Sequence, residues 1–427
     1  MLQFVRITQL NKFIMNTPHK TPSRNKIIAI LKDTLNVIKI EFRTLFKDRG
    51  VVTMLVLAPL AYPLLYCGLY KNETLIDVPI AAVDCSRSQE SRELLRHIDA
   101  TQNVQVISKF STLAEAKQAY NEKKVHGVVY IPADFSKKLN TGDQTTVSVY
   151  CDISSFMYYR IINQACSNCI LAMSNQIQME RLNANGITGE SAKIAASPIP
   201  YDAVILYNEG AGFASFLMPA ILILILQQTL FLGIGMITGT SREENRFHVL
   251  VSSTTYKGST LRVIIGKSIC YFSMFAAWSF FVLQFVPRLF NLPHIGIPFD
   301  IMMLMIPFLL STVFFSMTVA VFIPNRETGI VIFMFMSLIL LFLSGVSWPE
   351  SNINGFWRAF GWIFPATCGI QAYIKINTLG ADLHHISFEY ISLSVQTVIY
   401  FITTYWAYRW QIMKSTRKSL NKAEITE

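Results

Sequence analysis

Six stretches of this chain lack every charged side chain and every histidine, and each is long enough to cross a lipid bilayer. They are residues 51–70, 212–238, 268–287, 301–323, 328–349 and 390–408. A spanning helix needs about 20 predominantly apolar residues, and a charged side chain near its centre costs roughly 2.5–3.5 kcal/mol on insertion scales. Six such windows are improbable in a soluble protein, so we predict a multi-pass membrane protein with six spans.

The overall composition agrees with this interpretation. Hydrophobic residues make up 52% of the 427 residues and charged residues 15%, whereas soluble domains usually carry about 25% charge. The high apolar content disfavours intrinsic disorder. The net charge of +10 follows from membrane orientation and from attraction to anionic lipid headgroups, so it requires no nucleic-acid partner.

The distribution of lysine and arginine predicts the orientation of the spans. Residues 1–50 carry 10 basic residues against 3 acidic ones, and residues 239–267 carry 5 against 2. The longest charged segment, residues 71–209, carries 13 against 15. Basic segments stay in the cytoplasm, which places both termini inside. The first span begins too late for an ordinary cleaved signal peptide, and we interpret it as a retained anchor.

This topology divides the chain into five parts. They are a cytoplasmic tail (1–50), the first span (51–70), an extracytoplasmic domain (71–209), spans 2–6 (210–410) and a cytoplasmic tail (411–427).

Local patterns predict helices in the tail and a mixed domain outside. Apolar side chains recur every three or four residues through 24–49, with most basic side chains opposite, so we predict an amphipathic helix at the membrane interface or packed on a partner. The segment 71–209 alternates short β-rich runs with helical ones, including a capped helix opened by Ser111 and Thr112 with Glu115. We therefore expect a compact α/β or α+β domain.

Cysteine and metal chemistry give few signals. Four of the seven cysteines lie in 71–209, where disulfides are chemically allowed. Cys85 and Cys151 are a possible bridge, although sequence alone does not fix the connectivity. Cys166 and Cys169 have no companion ligands at metal-site spacing, so we predict no metal site.

No catalytic motif stands out, and we predict that the chain is not an enzyme. The triplet Gly266-Lys267-Ser268 lacks the first glycine of a P-loop, because Leu261 occupies that position. The charge-free spans disfavour a proton-driven carrier. The short segment 239–267 remains, either as a coupling element or as a plain solvated loop.

Three stretches carry a resemblance to a known family. The first is VPIAAVD at 78–84 with HGVVYIPADF at 126–135, and the second runs from TSREE at 240–244 to Gly266 and Lys267. The third is FLSGVSWP at 342–349, followed by IFP at 363–365 and by residues 370–375. In their order around six spans, these stretches resemble the permease subunits of bacterial ABC-2 type exporters.

The resemblance implies a mostly α membrane protein. Six transmembrane helices of ABC-2, type V exporter-like architecture would carry an inserted α/β extracytoplasmic domain between helices 1 and 2. The chain would export a hydrophobic or amphipathic drug, lipid or metabolite across the bacterial inner membrane. A second copy or a homologous permease would complete it, a cytoplasmic ABC ATPase would bind ATP and Mg, and a periplasmic adaptor with an outer-membrane channel is plausible. The chain itself would bind no cofactor.

The resemblance also suggests two sets of functional residues. The cytoplasmic loop 239–267 would contact the ATPase, and a re-entrant hairpin at 350–375 would close the outer end. The loop residues are Ser241, Arg242, Glu243, Glu244, Arg246, Phe247 and Leu250, and those of the outer gate are Ser344, Gly345, Trp348, Pro349 and Pro365. Residues 245–248 depart from the family's pattern. Alternatives are a membrane receptor or scaffold with a sensory domain, and an ion-coupled carrier.

Overall fold

The computed structural model describes residues 23–71, 75–199, 204, 206–208, 212–247 and 260–426. The chain divides into two compact units, one of residues Met1–Glu73 with Tyr207–Glu427 and one of Thr74–Leu206. The first is the helical unit and the second contains the β-sheet.

The described elements follow one another in a fixed order. They are α1 (Ser23–Lys47), α2 (Arg49–Val52), α3 (Ala58–Leu69), β1 (Val78–Asp84), α4 (Gln89–Asp99), β2 (Val104–Phe110), α5 (Leu113–Asn121), β3 (Gly127–Ile131), α6 (Phe135–Thr141), β4 (Ser148–Cys151), α7 (Phe156–Ala184), α8 (Glu190–Ala196), α9 (Phe213–Glu243), α10 (Thr260–Phe280), α11 (Val286–Leu289), α12 (Pro298–Phe322), α13 (Arg326–Leu343), α14 (Gly355–Gly361), α15 (Pro365–Asn377) and α16 (Ser387–Thr426).

Within the described residues, five helical segments are long and apolar enough to cross a membrane. They are Arg49–Leu69, Phe213–Glu243, Thr260–Leu289, Pro298–Phe322 and Arg326–Leu343. The predicted window 390–408 lies inside α16, which is not among the five. Its apolar residues alternate with Gln396, Thr397, Thr403 and Thr404, which lower its hydropathy. The multi-pass character is confirmed, and the sixth span stays a prediction.

Prolines interrupt two of these segments in the same way. A π-helical turn, Thr53–Leu57, ends two residues before Pro59, and another, Phe281–Phe285, ends two residues before Pro287. Proline has no N–H to donate to the carbonyl four residues earlier. For Pro287 that carbonyl belongs to Leu283, and it accepts a 3.5 Å hydrogen bond from the Tyr373 hydroxyl instead.

Helix α9 is the centre of the helical unit, and small residues let its neighbours approach. A Cβ added at Gly233 would clash with Leu55 of the first segment, and one added at Gly235 would lie 2.5 Å from the Phe333 ring. A Cβ at Gly239 would lie 2.9 Å from the backbone of Arg326. Small residues permit close helix packing inside a bilayer, so Gly233 fixes the contact with the first segment, and Gly235 and Gly239 fix where α13 crosses α9.

The second unit is built around a four-stranded sheet in the order β2-β1-β3-β4. The strand β1 pairs parallel with β2 and with β3, and β4 runs antiparallel to β3. Helices cover both faces, with Leu94 and Ile98 of α4 on one and Ala116 and Ala119 of α5 on the other. The sequence did not predict α6 or α8.

The register of this sheet corrects the possible Cys85–Cys151 disulfide. Cys85 follows β1 and donates its backbone N–H to Ile131 at one end of β3, whereas Cys151 pairs with Gly127 at the other end. Four residues of a strand span roughly 13 Å, and a disulfide requires Cα atoms about 4.4–6.8 Å apart. Both thiols are free.

Candidate coupling site

All three acidic residues of the first 50 form ion pairs with distant parts of the helical unit. Asp33 Oδ2 lies 2.9 Å from Arg262 Nη1, and Glu41 Oε1 lies 2.6 Å from Lys267 Nζ. Asp48 pairs with Arg326 of α13 through both carboxylate oxygens, at 2.5 and 3.0 Å. With Arg242 and Glu243, described below, these residues form what we call the ion-pair cluster.

The first two pairs attach α1 to α10. The face of α1 that packs on α10 consists of Asp33, Val37, Glu41 and Leu45, spaced four residues apart and all buried. Leu35 and Phe46, which belong to the predicted apolar stripe, are instead 64% and 59% exposed. The helix was therefore predicted correctly, and the face that packs on α10 includes two acids with partners. Its position at the membrane interface stays a prediction.

The Glu41–Lys267 pair is the most deeply buried part of the cluster. Each side chain is 4% exposed, and Glu41 Oε1 also accepts a 2.5 Å hydrogen bond from the Tyr271 hydroxyl. A buried ion pair costs desolvation free energy unless good geometry and extra hydrogen bonds offset it. Removal of either partner would leave an uncompensated charge, so this contact fixes the relative position of α1 and α10.

The triplet that partly matches a P-loop has structural roles here. Gly266 allows Val37 of α1 to approach, since an added Cβ would lie 2.7 Å from that side chain. Lys267 is bound to Glu41, and the Ser268 hydroxyl donates to the Ile264 carbonyl at 2.7 Å. All three residues lie within the helix α10. The geometry is that of a helix–helix contact.

The third pair connects the start of the first candidate span to α13. Asp48 also caps α2 by accepting hydrogen bonds from the backbone N–H groups of Gly50 and Val51, at 3.0 and 3.2 Å. The hydrogen bond from Arg326 is the main cause that lowers the pKa of Asp48 below its ordinary value. Asp48 is therefore ionised at neutral pH and holds two segments through one carboxylate.

The first residues of the predicted coupling loop belong to this cluster. Arg242 donates from Nη1 to the carbonyls of Val321 and Ile323, at 2.7 and 3.0 Å, at the end of α12. Glu243 Oε1 accepts a 3.0 Å hydrogen bond from the backbone N–H of Arg326. Both residues lie at the end of α9, so they tie α9 to the turn between α12 and α13.

The remaining loop residues divide into exposed and buried ones. Glu244 and Arg246 form an exposed pair at 2.6 Å, and the Ser241 carbonyl accepts the backbone N–H of Arg246 at 2.8 Å. Phe247 is 1% exposed and packs edge-on against Tyr408. We expected Phe247 to pack on a partner, and this burial corrects that expectation. Leu250 lies outside the described residues.

Four of the five outer-gate residues directly follow α13, and the fifth, Pro365, begins α15. The Ser344 hydroxyl donates to the Leu341 carbonyl at 2.6 Å, and Gly345 has a φ of 83° that suits glycine. Trp348 is 57% exposed, Pro349 precedes a short 3-10 turn, and Pro365 is the first residue of α15. The segment 350–377 thus contains two helices, α14 and α15, and we call it the hairpin segment.

A small cavity lies between α9 and α15. Ser215, Met218 and Leu222 of α9 line it together with Tyr373 and Asn377, and its volume is about 10 Å³. Ligand pockets usually measure about 300–1,000 Å³. The cavity holds roughly one water molecule and is too small for a drug or a lipid.

Comparison with known families identifies the family of the chain. A family model described as ABC-2 family transporter protein matches residues 49–406, well over half of the chain. The chain belongs to the ABC-2 transporter family. It is therefore a multi-pass ABC-2 permease, and members of this family work with a partner ATPase. A search of curated proteins finds no match.

The match begins after α1, so Asp33 and Glu41 lie outside the part of this ABC-2 permease that the family model covers, whereas their partners Arg262 and Lys267 lie within it. Sequence reasoning missed the ion-pair cluster, although one signal was present. Asp33 and Glu41 are eight residues apart and share a helical face with Val37 and Leu45. Acidic residues on the apolar face of a helix need partners when that face is buried, so they predict basic residues on the neighbouring helix.

Proposed function

We propose that this ABC-2 permease is the membrane-spanning half of an ATP-driven exporter in the bacterial inner membrane. Two copies, or this chain with a homologous permease, would form the path for a hydrophobic or amphipathic drug, lipid or metabolite. The observation that carries the proposal is the ion-pair cluster, since it connects α1, α10, the start of the first span, and the ends of α9, α12 and α13 around the predicted ATPase-contacting loop.

The connections explain how a force on the loop would reach the spans. Glu244 and Arg246 are exposed and available to a partner, and they directly follow Glu243, which is bound to the start of α13. Arg242 holds the end of α12, and Arg326 holds the start of the first span through Asp48. A displacement of residues 244–246 would therefore move the ends of α9, α12 and α13 together.

The orientation and the energy source belong to the same proposal. The cluster lies among the basic segments that we predict to be cytoplasmic, where an ATPase would bind. ATP and Mg would be held by that separate subunit, which is supported by the helical, fully engaged Gly266-Lys267-Ser268 triplet. The Thr74–Leu206 unit would face the periplasm, where it would contact an adaptor and an outer-membrane channel.

An ion-coupled carrier is the second candidate, and one observation favours it. The helix that begins at Thr260 continues into the third candidate span, so Lys267 and its partner Glu41 form a buried titratable pair at the end of that span. Buried ionisable groups in membrane segments are frequent in ion pathways. A carrier would transport cargo along a pH gradient without ATP.

The test is purification of the tagged full chain from solubilised membranes, followed by mass spectrometry and an ATPase assay. We expect a P-loop ATPase to co-purify and to show vanadate-sensitive turnover. Recovery of the chain without such a partner, with uptake driven by a pH gradient in vesicles, would favour the carrier instead.

A pair of variants makes the test specific to the loop. Glu244→Ala with Arg246→Ala should reduce ATPase co-purification while leaving thermal stability unchanged, because exposed pairs contribute little to stability. Asp134→Ala with Lys138→Ala is the matched control, since these residues form a similarly exposed pair in the other unit. Equal co-purification by both double variants would reject residues 244–246 as the contact.

A further inference from the structure

The exposed face of α16 changes in chemical character along the helix. It starts with aliphatic side chains, continues with two indoles and ends with basic groups, all of them exposed. Successive members are three or four residues apart, so they lie on one side of the helix. We call this set the graded stripe, and it consists of Ile391, Val395, Ile399, Ile402, Trp406, Trp410, Lys414 and Arg417.

The opposite side of α16 is packed within the helical unit. Leu393, Thr404, Tyr408 and Ser415 are each at most 2% exposed, and the Thr404 hydroxyl donates to the Phe314 carbonyl of α12 at 2.8 Å. These contacts fix the rotation of α16 about its own axis. The graded stripe therefore faces away from the helices that α16 packs on, which is the side that lipid would contact if α16 crosses the membrane.

Two observations place one membrane boundary at Trp410. The stripe rises about 29 Å from Ile391 to Trp410, which matches the roughly 30 Å of a hydrocarbon core, and tryptophan is enriched at such boundaries. The Trp410 ring also stacks on Phe322, with centroids 6.1 Å apart at 27°. Phe322 is the last residue of α12, one of the five candidate spans, so the apolar parts of two helices end at the same level.

The basic part of the stripe begins one turn beyond this boundary. Lys414 is about 6 Å further along the axis than Trp410, at the depth of the lipid headgroups. Its Nζ lies 4.9 Å from the centroid of the Trp410 ring, a cation–π contact. The ammonium group is thus directed back toward the boundary, as in lysines that keep their charge at a membrane surface.

The basic groups beyond the boundary have no acidic partner. Lys414, Arg417 and the neighbouring Lys418 form no ion pair with any residue that the structure describes. The sequence has no acidic residue between Glu389 and Glu424, whereas five basic residues fall within 409–422. Four to eight basic residues directly beyond a transmembrane helix are typical of segments that recognise anionic lipids.

We propose that the graded stripe binds an anionic phospholipid. Lys414 and Arg417 would hold the phosphate, which suits the planar guanidinium of arginine, and the acyl chains would lie along the aliphatic part. An acidic protein would contact the basic end alone and would leave the order of aliphatic, indole and basic groups without a reason. The inference rests on the prediction that α16 is the sixth span, and it does not use the exporter proposal.

The test titrates the purified full chain, in an uncharged detergent, with phosphatidylglycerol or with phosphatidylcholine of identical acyl chains. Native mass spectrometry measures the first lipid bound. The two lipids share a phosphodiester and differ in net charge, and we expect phosphatidylglycerol to bind about tenfold more tightly. Equal affinities would overturn the inference and leave the stripe to uncharged lipid or to a second copy of the chain.

Two double variants locate the phosphate contact. Lys414→Gln with Arg417→Gln should weaken phosphatidylglycerol binding about 25-fold, because each basic residue near an anionic surface contributes a factor of about five. Lys414→Arg with Arg417→Lys keeps both charges and should retain most of the affinity. Equal loss of binding in these two double variants would contradict the assignment of the two charges as the contact.

A matched control separates the site from the net charge of the chain. Lys117→Gln with Arg160→Gln removes the same two charges from exposed positions of the sheet-containing unit, and Lys117 Nζ likewise lies over an aromatic ring, 5.4 Å from the centroid of Tyr150. We expect this control to bind phosphatidylglycerol as the wild type does. A loss equal to that of Lys414→Gln with Arg417→Gln would assign the binding to net charge and reject the site.

The same variants distinguish the lipid from a protein partner. If Lys414→Gln with Arg417→Gln binds phosphatidylglycerol normally but loses the co-purifying ATPase, the basic groups contact that protein and the inference is wrong. Lipid binding is read on the isolated chain, whereas the exporter proposal is read from the ATPase. Charge-selective lipid binding without an ATPase partner would therefore keep this inference and count against the exporter.

Discussion

The two polar regions of the helical unit are constructed differently. The ion-pair cluster joins full charges on segments that are far apart in sequence, with Asp33, Glu41 and Asp48 bound to Arg262, Lys267 and Arg326. The second region, which we call the hairpin cluster, consists of Glu350, Trp362, Gln371, Lys375, Glu389 and Gln396. It joins neighbouring helices through one ion pair and through indole and amide donors to a carboxylate or a backbone carbonyl.

This difference indicates different mechanical roles. A buried pair of full charges is stable only when both partners are present, so the ion-pair cluster holds its segments in one arrangement. The hairpin cluster has a single ion pair, whose lysine is 42% exposed, and its other contacts come from neutral donors and contribute less each. We therefore expect the first region to transmit movement and the second to depend less on any single contact.

The largest effect should come from the buried pair of the ion-pair cluster. Lys267→Met leaves the Glu41 carboxylate buried without a cation, and we expect a loss of about 3–5 kcal/mol of unfolding free energy. The measurement is thermal unfolding of the purified chain in detergent. The double variant Glu41→Leu with Lys267→Met should recover most of that loss, and a double variant as unstable as the single one would contradict a charge-based explanation.

Overpacking at the crossing of α9 and α13 should reduce the free energy of unfolding by less than the loss of the buried ion pair does. In Gly239→Ala the new methyl group would lie 2.9 Å from the backbone of Arg326, and we expect a loss of about 1–3 kcal/mol. Gly355→Ala is the control, because a Cβ at Gly355 meets nothing within 4 Å. If both variants unfold at the wild-type temperature, α9 and α13 do not pack as closely as described.

The contribution of the Asp48–Arg326 pair to stability should depend on pH. Asp48→Asn keeps a capping side chain but removes the charge, and we expect a loss of about 1–3 kcal/mol at pH 7. Because Arg326 lowers the pKa of Asp48 in the folded protein, this stabilisation is present above the ordinary pKa of 3.8 and is lost as pH falls through the lowered value.

The check is the difference in unfolding midpoint between the wild type and Asp48→Asn. It should stay constant from pH 8 down to about pH 5 and shrink only below about pH 4. A difference that disappears near pH 6 would assign the effect to another titrating group.

The smallest loss of unfolding free energy should come from a substitution in the hairpin cluster. Trp362→Phe keeps an aromatic ring beside Phe388 but removes the donor to Glu350, so we expect about 0.5–1.5 kcal/mol from one lost hydrogen bond. The same thermal unfolding assay measures it. A loss of unfolding free energy as large as that of Lys267→Met would show that the two regions do not differ in how much their contacts stabilise the fold.

Much of the local structure was predictable because neighbouring residues decide it. The helix at 111–123 was expected from its capping residues, and in α5 Thr112 Oγ1 accepts the N–H of Glu115 while Glu115 Oε2 accepts that of Ser111. The Cys85–Cys151 pairing was wrong because it depends on sheet register, which short-range patterns do not specify.

The candidate site was only partly predictable for the same reason. Arg242 and Glu243 were selected as partner contacts, but the structure places them against α12 and α13 of the same chain. Phe247 was selected for its apolar side chain, which is buried against Tyr408. A residue's type indicates the contact it needs, but not which surface supplies it.

The sequence by itself determined that this chain is a multi-pass membrane protein, because hydrocarbon excludes charge from long apolar helices. Tertiary structure alone decided which acid meets which base, since the partners in the three pairs are 229, 226 and 278 residues apart. It also left Glu389 and Gln396 with unpaired oxygens. Burial and hydrogen-bond geometry depend on how helices pack, and only the folded chain specifies that packing.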